Sequence, residues 1–275
     1  MLINNIHCDD CGHNFDSTLS RCPHCHKSNE QRATLNYKNK VAFVPLVHQF
    51  LCLIIGLAGL YLFELIFNIC FYNFVNPSDP ATNLKLHALI VYPSYVCLFI
   101  VLIVILFGYI HELTPHFKKA LPYLTGILFG IALIVFSIFY TTLINQFAPN
   151  IGLNDNEDIA RQLTKYYPFI SIIVLGFIGP ICEEITYRLG LFSICSRFNR
   201  WFAYILTVIV FALIHFDFTS KNLTVEAIYL PVYIFSGLIL CIAYEQEGPA
   251  ASITAHIVNN LYSVIGVLIA SGINK

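Results

Sequence analysis

Apolar residues in this chain arrive in long blocks, not at a strand or surface-helix period. Seven runs, near 44–72, 88–110, 120–146, 168–197, 201–217, 227–244 and 250–271, are each close to or above the ~20 residues that cross a bilayer as a helix, the fifth slightly short. Polar clusters and helix breakers separate them: Asn76-Pro77-Ser78-Asp79-Pro80, Thr114-Pro115 and an Asn/Asp/Glu-rich stretch at 150–158. The pattern predicts an all-α polytopic membrane protein of about seven transmembrane helices. The first forty residues read differently. They are polar and carry paired cysteines, which predicts a small separate module at 1–27 and a polar, basic linker at 28–42.

Composition strengthens the membrane reading. Of 275 residues, 57% are hydrophobic and 11% charged, where soluble domains carry roughly a quarter charged. A soluble fold of this length has no interior large enough for so much apolar surface. The net charge of −1 supplies no basic field, so no nucleic-acid partner is expected. No secretory leader is expected either, because the first forty residues lack a basic region followed by an apolar one. Lys and Arg concentrate in the N-terminal segment (Arg21, Lys27, Arg32, Lys38, Lys40) and in alternate loops (Lys118, Lys119, Arg197, Arg200). That bias predicts a cytosolic N-terminus in a multi-pass protein of a plasma membrane.

The N-terminal module contains two C-x-x-C knuckles, Cys8/Cys11 and Cys22/Cys25, with a hairpin-length spacer between them. Two such knuckles bring four thiolates around Zn²⁺ tetrahedrally. The alternative, two disulfides, requires an oxidising compartment and conflicts with the predicted orientation. A zinc ribbon with a structural Zn²⁺ is therefore expected, folded mainly by its metal and available to a cytosolic partner. The other six cysteines lie in apolar runs, where cysteine behaves as a small hydrophobe.

Ionisable side chains inside a bilayer are costly and mark function or a buried partner. They are densest in the last four apolar runs: Glu183, Glu184 and Arg188 in the fourth, His215 in the fifth, His256 and Asn260 in the seventh. Glu184 and Arg188 are four apart and share a helix face, whereas Glu183 points about 100° away. Glu184 is thus expected to pair with Arg188 in a supporting, structural role, leaving Glu183 free. Counted from the helix ends, Glu183 and His215 come out at similar depth and His256 shallower. A carboxylate facing two imidazoles in a dry cavity can activate water against a carbonyl, with Asn260 or a histidine N–H on the oxyanion. The same side chains can instead hold a divalent metal such as Zn²⁺. Glu64, midway along the first run, is a further intramembrane acid expected to be paired packing or a minor site.

Taken together, Glu183-Glu184-x-x-x-Arg188, Phe211-x-x-x-His215 and His256-x-x-x-Asn260 resemble the three ordered motifs of the CPBP family, the ABI or type II CAAX prenyl endopeptidase-like membrane proteases. The resemblance covers about 166–271 and leaves 43–165 as N-terminal transmembrane helices without a motif. It implies hydrolysis of a peptide bond in a membrane-associated peptide or protein. Glu183 would be the water-activating residue, with His215, His256 and Asn260 completing the site and a catalytic metal left open. A non-enzymatic scaffold or bacteriocin self-immunity protein of the same fold is the competing reading.

Overall fold

The computed structural model describes residues 5–29, 41–75, 79–149 and 151–273. Most of the expected linker (30–40) and the Asn76-Pro77-Ser78 corner lie outside the described residues.

The N-terminal module is a two-stranded antiparallel hairpin, β1 (Asn5–His7) and β2 (Asn14–Asp16), with Asn5 opposite Asp16 and His7 opposite Asn14. The first knuckle closes through Gly12 N–H to the Cys8 carbonyl at 2.8 Å, with Gly12 at φ +72°, a conformation that glycine adopts without strain. The second closes through His26 N–H to the Cys22 carbonyl at 2.9 Å. The module's small apolar cluster, Cys8, Phe15, Leu19 and Cys22, packs against Tyr109 of the membrane part.

Helices make up the rest: α1 (Leu46–Val75), α2 (Pro80–Leu106), α3 (Ile110–Phe117), α4 (Ala120–Phe147), α5 (Asp155–Tyr166), α6 (Pro168–Ser196), α7 (Arg200–Ile214), α8 (Leu223–Glu247) and α9 (Pro249–Ile273). Among the described residues six runs are long and apolar enough to cross a membrane: α1, α2 continued through α3, α4, α6, α8 and α9. The chain is a multi-pass membrane protein. The fifth expected span is too short. The helix in that run, α7, has 15 residues and covers about 22 Å, so it stops before a ~30 Å hydrocarbon core is crossed. Outward faces stay apolar, as at Phe74 (84% exposed) and Leu128 (68%), which suits contact with lipid.

α6 is the central helix, with every residue of 185–192 buried. It packs against α1 through glycine. A Cβ at Gly56 would stand 1.9 Å from Thr186 Oγ1, and one at Gly190 would stand 3.0 Å from the Leu53 nitrogen. This pairing makes α1 antiparallel to α6. On the other side, Gly126 and Gly130 of α4 meet the Ala251 and Ala255 carbonyls of α9, where added Cβ atoms would stand 2.6 and 3.0 Å away. That small-x-x-x-small spacing lets helix backbones approach closely in lipid.

Ribbon and membrane helices are joined by buried polar contacts. Glu112 of α3, its side chain fully buried, accepts from Ser20 N–H at 2.6 Å and Arg21 N–H at 3.3 Å, just before the second knuckle. Arg197 reaches Asp16 of β2 at 3.6 Å and donates to Gln49 of α1 at 3.1 Å. After the undescribed residues the chain returns as a strap. Val41 to Val44 are buried, and the Val41 carbonyl accepts from Ser193 Oγ at 3.0 Å and Tyr244 OH at 3.1 Å.

Candidate active site

Glu183 and Glu184 close the short α-helical segment Gly179–Glu184 within α6, between two π-helical stretches, Val174–Ile178 and Ile185–Phe192. Such stretches are rare and concentrate at functional sites. They also advance less along the axis per residue than an α-helix. Glu183 therefore lies somewhat nearer the ribbon end of α6 than an even 1.5 Å rise predicts, which narrows the expected mismatch in depth with His256.

Glu184 holds the frame. Its Oε1 accepts from Arg188 Nη1 at 2.9 Å and pairs with His256 Nδ1 at 2.8 Å, tying α6 to α9. Arg188 is fully buried, donates to the Gly237 carbonyl of α8 at 3.3 Å and lies 4.4 Å over the Phe211 ring of α7. One carboxylate–guanidinium pair thus fixes four helices.

Glu183 is turned about 100° round the helix from Glu184 and approaches both histidines. Its Oε2 is 3.8 Å from His215 Nε2 and 3.8 Å from His256 Nε2. Those gaps are too long for direct hydrogen bonds and suit a single water between the groups. The same oxygen is buried without a hydrogen-bond partner among the described residues. Tautomers follow from the remaining ring nitrogens. His215 Nδ1 lies 2.8 Å from the Phe211 carbonyl and His256 Nδ1 lies against the Glu184 carboxylate, both acceptors. Each Nδ1 therefore carries hydrogen, and a neutral ring turns its Nε2 lone pair toward Glu183.

Asn260 stands apart from this trio. Its Nδ2 donates to the Leu175 carbonyl at 3.1 Å, inside the first π-helical stretch, and no hydrogen bond joins it to Glu183 or either histidine among the described residues. Glu183, Glu184, Arg188, His215 and His256 are thus gathered, and Asn260 braces the helix that carries the glutamates. Sequence reading missed Tyr233 of α8, which stacks on His215 at 4.5 Å while its hydroxyl accepts from Asn154 at 2.9 Å. A tyrosine inside an apolar run carries no signal that separates it from packing.

Residues 165–262 match the family model described as type II CAAX prenyl endopeptidase Rce1-like. The site lies in an Rce1-like domain. The chain is also 26% identical to an "Uncharacterized protein" of Mycoplasma capricolum subsp. capricolum over 62% of this chain and 53% of that one. It is 25% identical to "UPF0177 protein YvdC" of Lactococcus lactis subsp. lactis over 32% of this chain and 34% of that one. The chain therefore spans about half or less of the length of these curated relatives. No solved structure matches.

Two cavities adjoin the Rce1-like domain's glutamate. The smaller, about 210 Å³, is lined by Glu183, His215, Thr186 and Tyr187 together with Leu60 of α1. The larger, about 630 Å³, opens beside it between α1, α2 and α5 and shares Tyr61, Glu64, Tyr95 and Asn156 with the smaller.

The second chemical centre lies outside the Rce1-like domain. The Sγ atoms of Cys8, Cys11, Cys22 and Cys25 all lie within 4.8 Å of one another, with Cys8–Cys25 at 3.5 Å and Cys11–Cys22 at 3.6 Å. Sulfurs held tetrahedrally by ~2.3 Å Zn–S bonds stand ~3.8 Å apart, so the cluster fits zinc, and all four cysteines are free thiols rather than disulfides. Backbone hydrogen bonds from Cys11 and Asp10 hold the Cys8 thiol down at about 7, toward the thiolate that binds metal. Among the described residues these four form the group whose ligand atoms gather this tightly.

Proposed function

We propose that the membrane part is an intramembrane endopeptidase in which Glu183 activates water against a peptide bond of a membrane-associated peptide or protein. The observation that carries this reading is the buried, unpartnered Glu183 oxygen set 3.8 Å from each of two imidazole nitrogens. A water held there gives a proton to Glu183 as its oxygen bonds to the carbonyl carbon. The proton then passes to the departing amine, the C–N bond breaks and Glu183 returns to carboxylate.

Charge balance assigns the remaining roles. Glu183 and Glu184 bring two negative charges and Arg188 one positive. One further proton on His256, which stands between both carboxylates, neutralises the enclosed site. His256 Nε2–H then donates to the oxyanion, while His215 keeps its Nε2 lone pair on the water. By residue type Glu183, His215 and His256 could also hold a zinc ion, which would make a bound water more acidic, although among the described residues it is the four cysteines, not these three, whose ligand atoms gather within 4.8 Å. The Lys/Arg bias supports a cytosolic ribbon in a prokaryotic plasma membrane, with Zn²⁺ in the four-cysteine site.

The test is a mass-spectrometric comparison of membrane-protein N-termini in cells expressing wild type or Glu183→Gln at matched levels. Loss of the general base lowers cleavage about 10²–10⁴-fold, so specific new termini should vanish in the variant. Identical profiles, with a wild-type phenotype intact in the variant, would replace this reading with a scaffold or immunity role.

A further inference from the structure

Glu64 is the one acid lining both cavities, and the hydrolytic reading gives it nothing to do. It lies two-thirds along α1, inside the membrane part. Among the described residues its carboxylate makes no hydrogen bond and no ion pair, and neither cavity is lined by a Lys or Arg. The other polar groups around the larger cavity, including Asn68, Asn83 and His87, are not fixed cations. A half-buried carboxylate within the membrane part and without a counter-charge is costly, and a cation brought in from outside the chain relieves that cost.

Its position relative to Glu183 follows from the helix pairing. Leu53 meets Gly190 and Gly56 meets Thr186, so one more turn brings α1 to Leu60, which lines the smaller cavity with Glu183. Glu64 is a further turn, ~6 Å, beyond Leu60 and away from the ribbon. An extended peptide rises ~3.3 Å per residue, so ~6 Å corresponds to two residues.

Resting on the hydrolytic reading above, we propose that Glu64 is a specificity residue. It receives a lysine or arginine side chain about two residues from the scissile bond, in a peptide strand laid along the larger cavity. The substrate class is thus a membrane-associated polypeptide with a basic residue next to its cleavage site.

The test uses the full chain in nanodiscs and terminally blocked fluorogenic peptides carrying Lys, Gln or Glu at each of the three positions on either side of the scissile bond. Wild type, Glu64→Gln and Glu64→Lys are compared for cleavage. Binding of the same peptides is followed by fluorescence anisotropy in Glu183→Gln, with and without each Glu64 change. Wild type should favour Lys over Glu at one position by about tenfold or more, the size of a single desolvated charge pair, mostly through KM. Glu64→Gln should erase the preference and Glu64→Lys should invert it. An unchanged preference in both variants, or an equal loss on all peptides, overturns the proposal. If wild type cleaves nothing but binding shows the charge preference and its inversion, Glu64 stands and the hydrolytic reading fails.

Discussion

Arg188 ties together the Glu184 carboxylate, the Gly237 carbonyl and the Phe211 ring, and all three contacts are buried. Removing it strands Glu184 in a dry interior, which costs about 3–5 kcal/mol. Arg188→Met should therefore lower the unfolding temperature measured in detergent. Adding Glu184→Gln should recover part of that stability without recovering cleavage, because His256 has then lost the anion that fixes its ring. If the single variant unfolds like wild type, the frame does not depend on the pair. The i, i+4 spacing of Glu184 and Arg188 was enough to foresee their pairing and to leave Glu183 free. What the spacing left dark was the use of Asn260. A helix-face argument puts it beside His256, but its amide reaches the Leu175 carbonyl, an acceptor within a π-helical stretch that no residue pattern announces.

At the level of helices, the geometry around Glu183 depends on how closely α4 and α6 admit their neighbours. Gly130 faces Val258 and the Ala255 carbonyl, the residues on either side of His256. Gly130→Val should push α9 outward by the width of a methyl group. A displacement of about 1 Å can cost 10²-fold in rate, so cleavage should fall on that scale while the protein still inserts and purifies. Wild-type kcat in that variant would show that α9 is not positioned by this contact. Six of the seven expected spans were legible, because an apolar run of about 20 residues has few other destinations in water or lipid. The α7 run was misread as a span because hydropathy counts residues and not where the helix stops. With His215 at its C-terminal end, adopting φ −92° and ψ 0°, the helix stops at the level of Glu183, and irregular backbone at that depth is tolerated only around protein or a cavity.

Across the whole molecule, the ribbon is fastened to the membrane helices and not merely tethered to them. The knuckle pattern was enough to foresee the four-cysteine cluster, but nothing in sequence linked Glu112 or Arg197 to it, since each reads as an ordinary charge near a loop. Cys8→Ser with Cys11→Ser removes half the metal ligands, and the N–H groups of Ser20 and Arg21 then lose their fixed positions over Glu112. Two hydrogen bonds to a buried carboxylate are at stake, about 3 kcal/mol together after partial replacement by water. The unfolding transition of the membrane part should therefore fall along with that of the ribbon. Independent transitions, with the membrane part unshifted, would disprove the coupling. The 165–262 match also leaves out α1 and α2, whose Leu60 and Tyr95 line the smaller cavity, so that segment alone lacks two of the walls that shape the site. The clamp bears on how an inhibition assay is interpreted. Phenanthroline or EDTA abolishing activity is commonly taken as the signature of a metalloenzyme. Here a chelator that never reaches Glu183 would give the same result by dismantling the ribbon and loosening α3 beneath it, so only metal content measured per molecule, in the presence and absence of the four cysteines, assigns the ion to one centre or the other.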